Sequence, residues 1–560
     1  MTSSRRLGRR RVLRGGTLLV AGLLSVTPLT LSSCRKAPPA PLTKPAPLPD
    51  RPPEVVAELV LPTPHELWPR FRTLAGPIGD VLPSSPELAL AAIASVPPLG
   101  AGSLDVRSPI AIAWLGGDAP GLVVGVHVES GPELVAQVAS GSHPTHRVDR
   151  RGGVAYLSQA SGAGFSFAVV SDTLLLGPER AVERAGEYVA RALRPRAPTQ
   201  GPVVVDFIGP SLKAWLVPRL SAAWAEQRAA LVEALGREQS RKGRPADLAD
   251  PAALLGALDG VVRDALGVVG SARGAHAEIS TASERLTLSL RVEADGALRA
   301  LLAALRPGPA DRLRELPPGA ALALFRRRTS DTSTNGFVRA LFGPRLSAAD
   351  AARLDRALDR LRAGRGDAEA FALMPDLGLV WRGDVNDATE LRAAFADLVP
   401  FLARPPFADA LSESVGRPSL GRRPVERRGD DTVERSLIRM MPKSGGPSAA
   451  KNYELTTFVG TKRFVAAFGK SSSTVADAAI AAEAAPEARL GGAPPFASQL
   501  SATGDVAWLL VTDLTRLGLA PADVNAVASI EAGVGDGALT VTLRATDGAV
   551  RALAAREFGR

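Results

Sequence analysis

The feature that most limits the fold of this 560-residue chain is an internal repeat. The stretch RLTLSLRVEADGALRALLAAL (Arg285 to Leu305) returns as ALTVTLRATDGAVRALAAREF (Ala538 to Phe558), with Leu286 matching Leu539 and Arg291 matching Arg544 at an offset of 253. VDRRG (Val148 to Gly152) returns as VERRG (Val425 to Gly429) at 277, and the strand and helix pattern ending at Pro77 parallels the one ending at Pro344 at 267. GLVVGVHVESGPELVAQVA (from Gly121) has the pattern of LGLVWRGDVNDATELRAAFADL (from Leu377), and VVVDFIGPSLKAWL that of WLLVTDLTRLGL at about 305. All five pairs keep their order, so a repeated architecture, with a core in each copy, explains motifs inside it before chemistry does.

The jump from about 305 back to 253 means that the first copy carries some fifty extra residues, near Val217 to Gly267. There Leu220, Trp224, Leu231 and Leu235 recur at helical spacing, a polar break follows, and a second apolar run begins at Pro251. This reads as a helical hairpin whose apolar stripe packs on its own domain, contact with a partner being the alternative. Elsewhere, period-2 strands such as RLTLSLRVE alternate with Ala-rich amphipathic helices, and short turns join neighbouring strands. The expected fold is α+β: two tandem related lobes, 54–310 and 311–560, each a mainly antiparallel sheet with helices on one face.

Charge argues against nucleic acid. The net +10 includes six arginines and no acid in the first 33 residues, which leaves +4 for the rest. Those arginines precede a 15-residue apolar run, TLLVAGLLSVTPLTL, too short for a comfortable membrane span, and then LSSC. Leu31-Ser32-Ser33-Cys34 resembles the bacterial lipobox, which implies cleavage after 33 and acylation of Cys34, the only cysteine. RRRVLR, with Arg9 and Arg10, resembles a twin-arginine export motif, although a basic region of any spacing serves the general route. Several acyl chains anchor stably where one is marginal, each buried methylene adding about 0.8 kcal/mol. Arg35 follows the cysteine, and resemblance to enteric sorting rules then favours the outer membrane. Eight prolines between Lys36 and Pro53 favour an extended spacer of roughly 50 Å within a tether spanning 34–53.

Several chemical readings fail on the residues. FVAAFGKSSSTVADA (Phe464 to Ala478) has the strand, Gly-Lys-Ser and helix order of a phosphate loop, but Phe464 stands where the first glycine belongs. In the other copy Gly177 is opposite Gly469, and Pro178 and Glu179 replace Lys470 and Ser471, removing an N–H and opposing an anion. Ser471 to Thr474 reads as a helix cap, and no nucleotide is expected. His143 and His146 flank Pro144 and read as solvated loop histidines, not metal ligands. With five histidines, no GxSxG elbow and Ser211-Leu-Lys213 wrongly spaced for a Ser-x-x-Lys site, no nucleophile site emerges. Few aromatics, 4%, speak against sugar substrates. The arginines of Gly421 to Arg435 interleave with Glu426, Asp430, Asp431 and Glu434 and read as a self-neutralised hairpin.

The order of these blocks resembles a catalogued domain-of-unknown-function family of bacterial exported proteins, matched here by Val170 to Val182 and Leu286 to Leu290. The resemblance implies an α+β body and no assigned activity. The expectation is a non-enzymatic envelope lipoprotein, without cofactor or metal, that presents its duplicated body to an envelope protein. The alternatives are a groove for a lipid or other hydrophobic ligand, and a hydrolase with dispersed catalytic residues.

Overall fold

The computed structural model describes residues 47–558 apart from 95–100, 141–143, 163–164, 243–250, 283, 328–345, 376–377, 405–407, 409–416, 429–430, 442–449, 471 and 495. It is a mixed α+β protein with two compact units, one mainly of residues 59–201 and one mainly of 202–560.

The first unit holds the greater part of β1 (Val55–Leu61), and β2 (Leu104–Asp105), β3 (Ile110–Leu115), β4 (Gly121–Val128), β5 (His146–Arg151), β6 (Val154–Gln159), β7 (Phe165–Val170) and β8 (Thr173–Leu176). They are hydrogen-bonded in the order β1-β3-β4-β8-β7-β6-β5, with β2 on the end of β4 and every pair from β3 onward antiparallel. The strand TLLL of β8 is buried at all four residues, which requires cover on both faces. Helix α1 (Gly131–Ala139) packs Leu134, Val135 and Val138 against Leu174 and Leu176. Helix α2 (Glu179–Tyr188) lies on the opposite face, where a Cβ on Gly186 would meet Leu175 Cδ1 at 2.8 Å. The expectation of helices on one face is therefore corrected: adjacent residues Leu174 and Leu175 point to opposite sides of the sheet, and each meets a helix.

The second unit holds β9 (Val203–Ile208), β10 (Ala272–Ala282), β11 (Arg285–Ala294), β12 (Leu322–Arg327), β13 (Arg365–Leu373), β14 (Leu379–Val385), β15 (Arg417–Arg422), β16 (Glu426–Arg428), β17 (Asp431–Met441), β18 (Lys451–Val459), β19 (Arg463–Gly469), β20 (Trp508–Asp513), β21 (Val527–Gly535) and β22 (Ala538–Thr546). One antiparallel sheet runs β9-β10-β11-β22-β21-β20-β12-β13-β14-β19-β18-β17 and ends on β15 and β16. Because β11 pairs with β22 along its length, the closing strands of the expected first repeat lie in this unit, and the boundary between compact units falls at Gly201 and Pro202.

Here too both faces are covered. Helix α3 (Gly209–Lys242) and helix α4 (Pro251–Gly270) connect β9 to β10, and helix α5 (Gly296–Ala304) follows β11. Helix α6 (Ala348–Gly364) and helix α7 (Ala388–Leu398) bring Leu361, Leu391 and Phe395 to Phe464 and Ala466. Helix α8 (Ser472–Ala484) brings Ala476 and Ala479 to the other side, with Val465, Ala467 and Phe325. Phe325 and Phe464 are fully buried, each such side chain contributing about 1.5–3 kcal/mol. Helix α9 (Asp547–Phe558) closes the chain's described part.

Two comparisons between halves are exact in register. Asp149 pairs with Tyr156, and Glu426 with Val433, both members shifted by 277. His276 pairs with Arg291, and Ser529 with Arg544, both shifted by 253. The strands β12-β13-β14-β19-β18-β17-β16 follow one another in the same order as β1-β3-β4-β8-β7-β6-β5, while β2 and β15 have no counterpart among the described strands. Local chemistry agrees, since Ser130 caps α1 through the Glu133 N–H and Asp387 caps α7 through those of Thr389 and Glu390.

Candidate functional site

The seam between β11 and β22 carries one group of polar side chains of the second unit. Alternation puts Thr287, Ser289 and Arg291 on one face of β11, and their partners Arg544, Thr542 and Thr540 bring the same face of β22 beside them. Glu531 on β21 accepts from Arg544 Nη2 at 2.6 Å, and Arg544 also donates to the Ala502 carbonyl. Behind this pair the buried Gln499 accepts from the Ser529 hydroxyl at 3.3 Å. On the far side of the seam the corresponding polar face is open: Arg291, Glu278 and Glu293 are exposed.

His276 on β10 stands opposite Asp206 on β9 and opposite Arg291 on β11. Its Nδ1 lies 2.6 Å from Asp206 Oδ1 and its Nε2 3.2 Å from Glu278 Oε1. The hydrogen bond to Asp206, helped by that to Glu278 and opposed by partial burial, raises the imidazole above its usual pKa. Each ring nitrogen therefore has a carboxylate acceptor, and only the doubly protonated ring can donate to both. The sequence reading counted His276 without singling it out. The signal was the strand spacing His276-x-Glu278, which puts both side chains on one face.

The opposite face of the seam is apolar. Leu288 faces Leu543 and Leu290 faces Val541, all four half-buried. On the helices that follow these strands, Leu301 of α5 is 46% exposed and Leu553 of α9 is 50% exposed.

A second polar cluster was missed by sequence reasoning altogether. Glu369 of β13 is buried and accepts from Arg326 Nε, from Arg365 Nη1 at 3.1 Å and from Trp381 Nε1 at 2.9 Å. On the other face of the sheet the fully buried Arg382 donates to Glu315, which also receives Arg312, and Arg312 reaches Asp384 at 2.7 Å. These charges satisfy one another across packed strands, a structural role. The visible signal was Arg and Glu at inward positions of otherwise apolar strands.

The expected site residues Arg9, Arg10, Leu31, Ser32, Ser33 and Cys34 lie outside the described residues, as do His143 and Asp430. His146 is corrected: it begins β5, is buried, and packs edge-on against Phe167, because strand alternation turns it inward toward α1. The end of the Pro-rich stretch is held by the first unit, Arg191 reaching the Pro47 carbonyl and Arg51 the Tyr188 hydroxyl. Gly469 has φ +154° and Gly177 φ +149°, both in strand-to-helix turns against a neighbouring strand. In the arginine-rich hairpin Arg435 lies 3.8 Å from Glu426, and Arg463 lies 3.9 Å from Asp431.

In the hairpin between β9 and β10, Trp224 Nε1 and Arg228 both donate to Asp259. Leu220, Leu231 and Val232 stay exposed, so the stripe expected to pack inward does so only in part. A 34-residue helix spans roughly 50 Å and outruns the strands at its base. Among the described residues no three His, Cys, Asp or Glu side chains are placed to hold a metal, and no helix is long and apolar enough to cross a membrane. No family model, curated protein or solved structure matches the chain.

Proposed function

We propose that the chain is a non-enzymatic bacterial envelope lipoprotein, anchored through Cys34, whose body is a duplicated α+β unit that presents the helical hairpin α3–α4 to an envelope protein. The observation that carries this reading is the common strand order of the two halves, β1-β3-β4-β8-β7-β6-β5 and β12-β13-β14-β19-β18-β17-β16. If the halves are copies, what differs between them carries the specific function. The largest difference is the hairpin, since residues 514–526 join β20 to β21 without a helix. Its exposed Leu220, Leu231 and Val232 supply an apolar contact strip, and the resemblance of Leu31 to Cys34 to a lipobox supplies the location.

The test has two arms. Cys34→Ser is expected to move the protein from the membrane to the soluble fraction. A photo-cross-linking residue at Leu231 is expected to give a discrete adduct with one envelope protein, and the same residue at exposed Asp118 to give none. Cys34→Ser remaining membrane-bound, or equal adducts at both positions, overturns the corresponding half of the reading.

A second reading is favoured by Leu301 and Leu553, which occupy matching places in the two copies and stay exposed near a half-buried apolar seam. It is a hydrophobic-ligand surface, supported if lipid co-purifies with the Cys34→Ser protein and is lost on Leu301→Ser with Leu553→Ser.

A further inference from the structure

The helical hairpin leaves the sheet at the end of β9 and returns to it at the start of β10. β9 runs into α3 at Gly209, and α4 ends at Gly270 one residue before β10. The backbones are pressed together there, since a Cβ on Gly209 would lie 1.7 Å from the Arg273 carbonyl oxygen. The last strand pair before the hairpin is Ile208 with Gly274, and the next pair on the same face is Asp206 with His276. Any force that separates β9 from β10 at the hairpin's foot acts first on these two pairs.

We propose that Asp206, His276 and Glu278 form a proton-operated clasp at the foot of the hairpin, tight when the imidazole carries two protons and weakened when it carries one. The argument is one of donors and acceptors. Carboxylates accept and do not donate, and both ring nitrogens of His276 face one, Nδ1 at 2.6 Å from Asp206 and Nε2 at 3.2 Å from Glu278. Only the imidazolium has an N–H for each. A neutral ring keeps one bond and turns a nitrogen lone pair toward the other carboxylate, so losing the proton replaces an attraction with a repulsion.

The other charged groups at this place are Arg291, directly opposite His276 on β11, Glu293 beyond it, and Arg273 and Lys213 at the hairpin's foot. The hydrogen bonds and charges of Asp206 and Glu278 favour protonation of the ring, and partial burial opposes it. The carboxylates prevail, and the imidazole titrates above its usual value of 6.5. With a raised folded-state value, the clasp is fully tight below the unfolded value and weakens as pH rises through the folded one.

The clasp is confined to the half that carries the hairpin. The register that aligns His276 with Ser529 puts Val511 opposite that serine, where Asp206 faces His276. Neither residue there can form an ion pair, and the connection beyond holds no helix to restrain. The clasp stands whether the hairpin meets a protein partner or not.

The experiment is hydrogen–deuterium exchange of the purified full-length protein in detergent, read on peptides covering 203–213 and 267–280 from pH 6 to 9 and corrected for intrinsic rates. Protection of these peptides is expected to fall several-fold as pH rises, while β13 and β14 stay constant. His276→Gln, whose amide cannot titrate, is expected to abolish the pH dependence. Glu278→Gln, exposed and outside the core, is expected to lower the pH of the transition and serves if His276→Gln does not fold. A profile that is flat in the wild type, unchanged in both variants, or shared by β13 and β14 overturns the clasp.

Discussion

Ser289 on β11 lies directly opposite Thr542 on β22, and Thr542 is also the residue found 253 positions after Ser289, the offset at which the sequences of these two strands match. The pairs on either side follow the same rule. Leu286 faces Ala545 and Val292 faces Leu539, while 253 positions after Leu286 and Val292 stand Leu539 and Ala545. Each strand therefore presents to the other what the other presents to it, about a local two-fold axis through Ser289 and Thr542. Self-complementary contacts of this kind normally join separate subunits. Here a single chain supplies both sides.

This register is open to a direct chemical test. Directly opposed residues on antiparallel strands have Cα atoms about 4.5–5.5 Å apart, within disulfide reach, and diagonal neighbours lie about 7–8 Å apart. With Cys34 replaced by Ser, the pair Ser289→Cys with Thr542→Cys is expected to oxidise to one intramolecular disulfide, seen as a mobility shift on a non-reducing gel. Ser289→Cys with Thr540→Cys is expected to remain mostly reduced. The opposite preference refutes the axis.

Glu369 makes the second unit sensitive to a single change. Glu369→Ala leaves the buried Arg365, together with Arg326 and the Trp381 N–H, without their shared acceptor. Breaking a buried pair from one side costs about 3–5 kcal/mol. The urea midpoint of the second unit is expected to fall accordingly, whereas Asp359→Ala on the exposed face of α6 is expected to change it by about 0.5 kcal/mol or less.

The Gly-Lys-Ser turn separates architecture from chemistry by a similar contrast. Gly177 has φ +149°, and a Cβ there would lie 2.2 Å from the Leu122 carbonyl oxygen; at Gly469 a Cβ would lie 3.0 Å from Gly378 Cα. Gly177→Ala and Gly469→Ala are each expected to destabilise by about 1–3 kcal/mol, the cost of holding such a backbone with a side chain. Lys470→Ala, at an exposed position, is expected to leave thermal stability within about 0.5 kcal/mol. A large Lys470→Ala effect would reopen the phosphate-loop reading.

What was legible in the sequence followed periodicity. The alternation of RLTLSLRVE gave β11 and its polar and apolar faces, and the change in repeat offset located the helical insertion, whose helices run from Gly209 and to Gly270, a few residues beyond the expected limits. Two kinds of feature escaped. Sheet cover cannot be read from one strand at a time, and TLLL is compatible with either a core strand or a helix until α1 and α2 are seen on its two sides. Long-range polar pairs were the other: Arg382 and Glu315, or Asp206 and His276, are 67 and 70 positions apart and meet only through the sheet. His146 reads as a loop residue because Gly, Ser and Pro precede it in the sequence, whereas its own environment is set by Phe167.

His146 gives the first unit an acid sensitivity opposite in sign to the effect of His276. Burial lowers its pKa below the usual 6.5, so the folded chain keeps the ring neutral where the unfolded chain binds a proton. Stability from this residue is present above 6.5 and is lost as pH falls below it toward the folded value. The ring's Nδ1 lies 3.0 Å from the Thr145 hydroxyl, which also donates to the Val138 carbonyl, and its Nε2 has no hydrogen-bond partner. Removing the imidazole therefore leaves Thr145 satisfied and takes away an unpaired buried nitrogen, so His146→Leu should cost little at pH 8. Below pH 6.5 the variant is expected to hold its amide protection across β5 and β6 while the wild type loses it. The readout is local exchange, because a chain with two compact units need not unfold in one step. Equal loss of protection in both proteins would mean that a carboxylate, and not His146, governs the acid limb.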